Sequence, residues 1–198
     1  MKLYFVPGAC SLAVNIALRE AGLEFELVRV DLAAQQASDG SNFHNVNPKG
    51  YVPALRLDDG RVLTETVAIL QYVADLEPQS RLAPAAGTFE RYRLMEWLSF
   101  INSEVHKGFS PLFADNPADA VRTFALDRLT RRLDYLQGVL QPPFVLEGHF
   151  TVADAYLYTV LGWAPEVGVK LLRWPGLVRY YENIGLRPHV VAALESER

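Results

Sequence analysis

The chain has 198 residues and a mass of 22.2 kDa, with 50% hydrophobic, 21% charged and 11% aromatic residues. That composition excludes a disordered chain, and the length suits one large domain or two small ones with a real core. A net charge of −4 argues against a broad electrostatic footprint for nucleic acid or an anionic membrane surface.

The charge is unevenly placed. Residues 1–78 carry 6 Lys and Arg against 10 Asp and Glu, whereas residues 79–198 carry 13 of each, which suggests a two-part chain. Cys10 is the single cysteine, so no disulfide can form within one chain, and a reducing compartment is expected. His44, His106, His149 and His189 are scattered without an i,i+4 pair, so no metal site is expected. The first eighteen residues superficially resemble a secretory signal. However, Lys2 is the only early charge, Pro7-Gly8 splits the apolar run, and Arg19 and Glu20 close it. No segment approaches the roughly 20 apolar residues of a membrane span. A soluble, cytoplasmic protein is the expectation.

Residues 3–6 predict a strand ended by Pro7-Gly8, and Ser11 can cap a helix that ends before Gly22, with Ala13, Ile16 and Ala17 on one face. Residues 25–30 alternate as a second strand, with Phe25 and Leu27 inward. Residues 33–50 read as a loop with one helical turn. Residues 52–57 and 61–63 flank Asp58-Asp59-Gly60 and predict a β-hairpin. Residues 64–76 then carry Ile69, Leu70, Val73 and Leu76 on a helical stripe. The order β-α-β, loop, β-β-α predicts an α/β, thioredoxin-like half (β-α-β-α-β-β-α with the loop's turn) around a mixed four-stranded sheet.

Residues 78–87, with two prolines and a glycine, read as a linker. From residue 88 to 198 the pattern is all-helical. Leu94, Leu98, Ile101 and Val105 mark one helix over 88–113. Val121, Leu129, Leu133, Leu136 and Leu140 mark a second over 119–140, interrupted by Pro142-Pro143. Residues 151–163 lack charge after Asp154 and predict a helix buried all round. Short helices over 176–184 and 188–195 follow.

Four short constellations stand out. Cys10 and Ser11 lie where a strand passes into a helix, at the positive end of its dipole, where a thiolate is stabilised; a buried structural cysteine fits the same position. Val52-Pro53 opens a strand. A cis bond there would let the Val52 backbone pair an extended peptide, and a trans bond is the alternative. Thr64-Glu65-Thr66 reads either as a cap, with Thr64 capping, or as a clamp for a small zwitterion through Glu65 and Thr66. Thr151 and Asp154 have capping-box spacing and a structural role. No G-x-S-x-G and no G-x-G-x-x-G occurs.

Taken in order, five blocks resemble the glutathione S-transferase superfamily, and its bacterial beta class most closely. They are Lys2-Leu3-Tyr4 with Pro7-Gly8-Ala9-Cys10-Ser11-Leu12, then Asn47 to Leu55, Leu63 to Ile69, Glu104 to Phe113, and Phe150 to Tyr156. The resemblance implies a thioredoxin-like glutathione-binding domain over 1–77, a linker over 78–87 and an all-helical electrophile-binding and dimerisation domain over 88–198. It implies a cytoplasmic homodimer that conjugates glutathione, its co-substrate, to small hydrophobic electrophiles, with no metal. A non-catalytic interaction protein of the same architecture remains the alternative.

The family's roles fall on Cys10 as catalytic cysteine, by mixed disulfide or beside the glutathione thiolate, with Ser11 as the alternative hydroxyl. Val52 before Pro53 would pair the cysteinyl backbone, and Glu65 and Thr66 the γ-glutamyl end. His106 would lie near Cys10 at the mouth of the electrophile site, with Lys107, Phe109 and Phe113. Ser103 and Glu104 would reach the neighbouring subunit's glutathione. Two departures stand out. Gln35-Gln36 replaces a lysine common in the class, so a cation for the glycyl carboxylate is missing, which predicts weaker glutathione binding or a substitute donor, with Gln35 counted in the glutathione site; Ser99 replaces an asparagine.

Overall fold

The computed structural model describes residues 1–140 and 143–198. Of the Pro142-Pro143 interruption, Pro142 lies outside the described residues. The chain divides into two compact units, Met1–Ala83 with Arg187–Arg198, and Pro84–Leu186.

In the first unit, β1 (Lys2–Phe5) is the pivot of the sheet. It pairs parallel with β2 (Glu26–Asp31), Tyr4 opposite Val28, and antiparallel with β4 (Ala54–Arg56), Tyr4 opposite Ala54. β5 (Val62–Thr64) closes the predicted hairpin, and β3 (Gln36–Ala37) adds a short antiparallel edge to β2. The order is β3-β2-β1-β4-β5. The expected four strands are therefore five, because a two-residue strand inside the polar 33–50 segment finds its ladder on β2. On β2 the buried side chains are Val28 and Val30. The alternation expected from Phe25 and Leu27 starts too early by one residue and so points to the opposite face. One sheet face is filled by Tyr4, Val28, Val30, Phe43, Val52 and Ala54.

Helix α1 (Ser11–Glu20) joins β1 to β2, and Gly22, at φ +68°, follows its end. Residues 11–18 are buried without a break, so the helix is enclosed rather than one-sided. It packs against α3 (Thr66–Leu76) and against α9 (Pro188–Ser196), which returns from the far end of the chain. The sequence pattern carries the helical region to residue 198; this closing segment belongs instead with the first unit. Helix α2 (Phe43–Val46) supplies the single turn expected in the loop.

In the second unit, α4 (Phe89–Phe100) is capped by the Thr88 hydroxyl and runs on as a π-type stretch, Ile101–His106, into α5 (Lys107–Phe109). Leu94, Leu98, Ile101 and Val105 are all buried, as their spacing predicts. Helix α6 (Asp119–Val139) buries Leu129, Leu133 and Leu136, but Val121 is exposed in its first turn. Every residue of α7 (Val152–Leu161) is buried. Helix α8 (Pro175–Gly185) packs against it. No helix among the described residues is long and apolar enough to cross a membrane.

The capping box that opens α7 is present. Asp154 is fully buried and accepts from the Thr151 N–H at 2.8 Å, the Thr151 hydroxyl at 3.0 Å, the Val145 N–H at 2.7 Å and the Tyr180 hydroxyl at 3.0 Å. Burial pushes its carboxyl up to about 6, and the four donors pull the other way. Asp154→Ala would strand all four, so it should destabilise the fold by about 3 kcal/mol or more, read as a lower urea midpoint.

Candidate active site

Cys10 stands at the N-cap of α1, with Ser11 as the first helical residue. This inverts the expected cap. The Ser11 side chain is fully buried, donates to the Val6 carbonyl at 3.2 Å and accepts from the Val6 N–H at 3.3 Å. Its hydroxyl therefore fastens the turn between β1 and α1. Cys10 is half-buried, and its Sγ donates to the Val52 carbonyl at 3.4 Å. The Val52–Pro53 bond is cis. Asn47, itself buried, donates to the Tyr51 carbonyl at 2.6 Å and holds the approach to this bond.

At the start of α3 the cap position belongs to Glu65, not Thr64, which is a strand residue paired with Ala54. Glu65 has φ +73° and ψ 119°, a backbone region that normally favours glycine. Lys49 Nζ is ion-paired with Glu65 Oε1 and also donates to the Thr64 hydroxyl at 3.0 Å; the Tyr51 hydroxyl donates to the same Glu65 oxygen at 2.8 Å. These bonds to Glu65 raise both Lys49 and Tyr51 above their ordinary values. Thr66 is buried in the next position. Sequence reasoning missed Lys49 and Tyr51 as partners of Glu65.

Gln35, at φ +52°, does not offer a donor to a carboxylate. Its two N–H groups are spent on the carbonyls of Leu32 at 2.7 Å and Gly50 at 3.1 Å, and its remaining oxygen is buried without a partner. The residue ties the 31–50 loop together. Gly50 suits the position because its φ of +73° strains any residue with a side chain.

In the second unit, His106 closes the π-type stretch. Such stretches recur at functional sites because they re-aim side chains within a helix. His106 Nδ1 lies 2.6 Å from the Tyr156 hydroxyl, and that hydroxyl donates to Asn102 Oδ1 at 2.9 Å. Which partner donates across the His106–Tyr156 contact depends on the imidazole tautomer. The ring stands edge-on to Trp163 at 4.8 Å. Burial first, and the Lys107 charge second, hold the imidazolium down to about 4.

Phe109 and Phe113 both stand edge-on to Trp163 at 5.8 Å, but Phe109 is fully buried core while Phe113 is exposed. Lys107 and Ser103 are exposed. Glu104 accepts from Arg132 Nε at 2.6 Å and, at 3.4 Å, from Arg128, and Arg132 holds its carboxyl below the usual range. Ser99 donates to the Met95 carbonyl within α4. Among the described residues no group of three or more His, Cys, Asp or Glu could hold a metal ion.

The chain is similar to known proteins over its whole length. Residues 8–76 match the family model for the glutathione S-transferase N-terminal domain, and residues 100–188 that for the C-terminal domain. The chain belongs to the glutathione S-transferase family. It is 43% identical to glutathione S-transferase GstA of Escherichia coli O157:H7 over 198 residues, covering 100% of this chain and 98% of that one. Among solved structures, it superimposes on a sphingomonad glutathione S-transferase complexed with glutathione with a TM-score of 0.96 at 48% identity, covering 100% of this chain and 98% of the other. A bacterial beta class enzyme of Sphingomonas chungbukensis gives a TM-score of 0.95 at 47% identity with the same coverage.

The depressed His106 value has a measurable consequence. Between its ordinary value near 6.5 and about 4, the unfolded chain takes up a proton that the folded chain refuses. Stability from this group is complete above pH 6.5 and is lost as pH falls through 4, a change of about 3 kcal/mol. His106→Phe should therefore flatten the acid limb of the stability–pH curve by that order, measured by urea titration from pH 4 to 7.

Proposed function

We propose that this chain conjugates glutathione to small hydrophobic electrophiles, and reduces glutathione mixed disulfides through Cys10. The observation that carries this is the meeting of the Cys10 sulfur with the Val52 carbonyl at 3.4 Å, just ahead of β4, whose hairpin partner β5 leads to Glu65 and Thr66. An extended peptide laid along Val52 would pair its backbone there, as an added strand does. Its γ-glutamyl end would reach the amino terminus of α3. There the Thr66 hydroxyl and the helix dipole suit a carboxylate, and Glu65, steadied by Lys49 and Tyr51, suits an ammonium. The peptide's sulfur would then face Cys10.

For conjugation, the glutathione thiolate attacks an electrophilic carbon and the leaving group departs with its electron pair. For disulfide reduction, the Cys10 thiolate attacks the glutathione sulfur of a mixed disulfide and expels the other thiolate. A second glutathione thiolate then attacks the Cys10 adduct, releasing oxidised glutathione and restoring Cys10. On the second unit, His106, Lys107 and the exposed Phe113 provide a partly aromatic surface for the electrophile. Phe109 supports that surface from within, while Ser103 and Glu104 are assigned to the glutathione of the neighbouring subunit in a homodimer. The Arg128 and Arg132 contacts hold Glu104 in place for that role. A cysteine that must stay reduced to turn over suits the cytoplasm.

Titration calorimetry at millimolar glutathione should register binding, and oxidised glutathione should leave an adduct on Cys10 in the mass spectrum. Cys10→Ala should abolish disulfide reduction while keeping conjugation within about tenfold. Silence in the calorimeter together with an unmodified Cys10 would overturn the assignment.

A further inference from the structure

The carboxylate of Glu197 comes from the end of the chain and reaches the turn that carries Cys10. Its Oε2 accepts the Gly8 N–H at 2.9 Å, and its Oε1 accepts from Asn15 Nδ2 at 3.0 Å. Glu197 is only 6% exposed, and Asn15 is fully buried on α1. The orientation of Asn15 is set by Arg19, whose Nε donates to Asn15 Oδ1 at 2.9 Å. Asn15 Nδ2 is also within reach of the Ser196 hydroxyl at 3.2 Å and the Ala193 carbonyl at 3.4 Å. At the opposite end of α1, Arg187 grips Glu20 through two bonds of 2.7 and 2.8 Å. Helix α9 is thus strapped along α1 at both ends, and one strap closes on the backbone two residues before Cys10.

We propose that Glu197 is a positioning residue for Cys10: it fixes the Pro7-Gly8-Ala9 turn and so holds the thiol on the Val52 carbonyl. The inference rests on the role given to Cys10 above. The chemistry of the contact demands a carboxylate. Two donors converge on the side chain, Gly8 N–H and Asn15 N–H, so both of its oxygens must accept. An amide has one acceptor and would turn its own N–H groups on one of these donors. Gly8, at φ +69°, makes the turn possible. Burial raises the Glu197 carboxyl, while Asn15, Gly8 and the Arg19 charge oppose that shift. Arg19 on α1 is the cation facing it, with the Glu20–Arg187 pair at the far end of the same helix.

Cys10 is the only cysteine, so the full-length chain reports on itself through reaction with a chromogenic aromatic disulfide, without glutathione present. With the turn loosened and a negative charge removed, Glu197→Gln should react about fivefold faster at pH 7 and show a lower apparent thiol pKa. Adding Asn15→Asp reverses the polarity of the pair. The new carboxylate accepts from the new amide, whose oxygen takes the Gly8 N–H, and Arg19 keeps its acceptor. That double variant should return to within about twofold of the parent. A folded Glu197→Gln that matches the parent from about pH 6 to 9, or a double variant as fast as the single one, would overturn the proposal.

Should the single variant fail to fold, amide exchange of Gly8 in the unaltered protein decides the matter. Protection of about a hundredfold or more supports the strap, and exchange at the free-peptide rate overturns it. Because glutathione is absent from these measurements, a parent chain that binds none would defeat the glutathione assignment and leave this result standing.

Discussion

A helix buried on every side is the constraint from which the first unit is built. Helix α1 hides residues 11–18 between its own layer and the returning α9. Its interior positions must therefore be apolar or fully paired. Ser11 and Asn15 are the polar positions that need partners; Ser11 has them from Val6, and Asn15 from Arg19, Ser196 and Glu197. Leaving such an amide unpaired would cost about 1–3 kcal/mol, a large share of a domain's net stability. The pairing that avoids this cost also joins the two ends of the chain. Packing and polar satisfaction meet at these two buried residues and their neighbours.

The start of α3 follows a different logic. A non-glycine residue at φ +73° costs on the order of 1–3 kcal/mol and persists only where surrounding contacts over-determine it. Glu65 has such contacts. Its carbonyl accepts the Ile69 N–H and opens the helix, while its carboxylate is held by Lys49 and Tyr51. The conformation turns the Glu65 side chain away from its own helix and toward the segment that precedes Val52. Strain is concentrated where two constellations read separately in the sequence converge.

Much of this was legible beforehand because it depends on local pattern. The β1 run, the hairpin around Asp58-Asp59-Gly60 and the charge-free stretch after Asp154 each carry their signal in adjacent residues. The capping box was readable for the same reason. What escaped depends on distant partners. Two residues, Gln36 and Ala37, carry no strand pattern of their own and become one only because β2 offers an edge. Ser11 looked like a cap because the type suits that position, but the Val6 backbone lies close enough to take its hydroxyl inward. Gln35 looked like a donor for a ligand, yet two carbonyls of its own loop use its N–H groups first. Nothing in residues 188–198 indicates that they return to the first helix; Glu197 becomes meaningful only beside Gly8 and Asn15.

The separation of labour between the two units follows from the reactivity of sulfur. On the proposed reaction, lowering a thiol pKa from ~8.5 to ~6.5 raises the thiolate fraction at pH 7 from ~3% to ~75%, a gain of ~25-fold. A less basic thiolate is also a poorer nucleophile, and a Brønsted slope near ~0.45 returns ~8-fold of that gain. Only a few-fold survives, whereas fixing two reactants in an attack geometry contributes several orders of magnitude. A helix terminus that merely acidified a thiol would therefore achieve little. On that reaction orientation matters more. The turn before Cys10 is tied by its backbone, and the imidazole of His106 is held by the Tyr156 hydroxyl, itself bonded to Asn102. Rigid placement of groups whose intrinsic reactivity is ordinary is the property that the buried polar contacts of this chain secure.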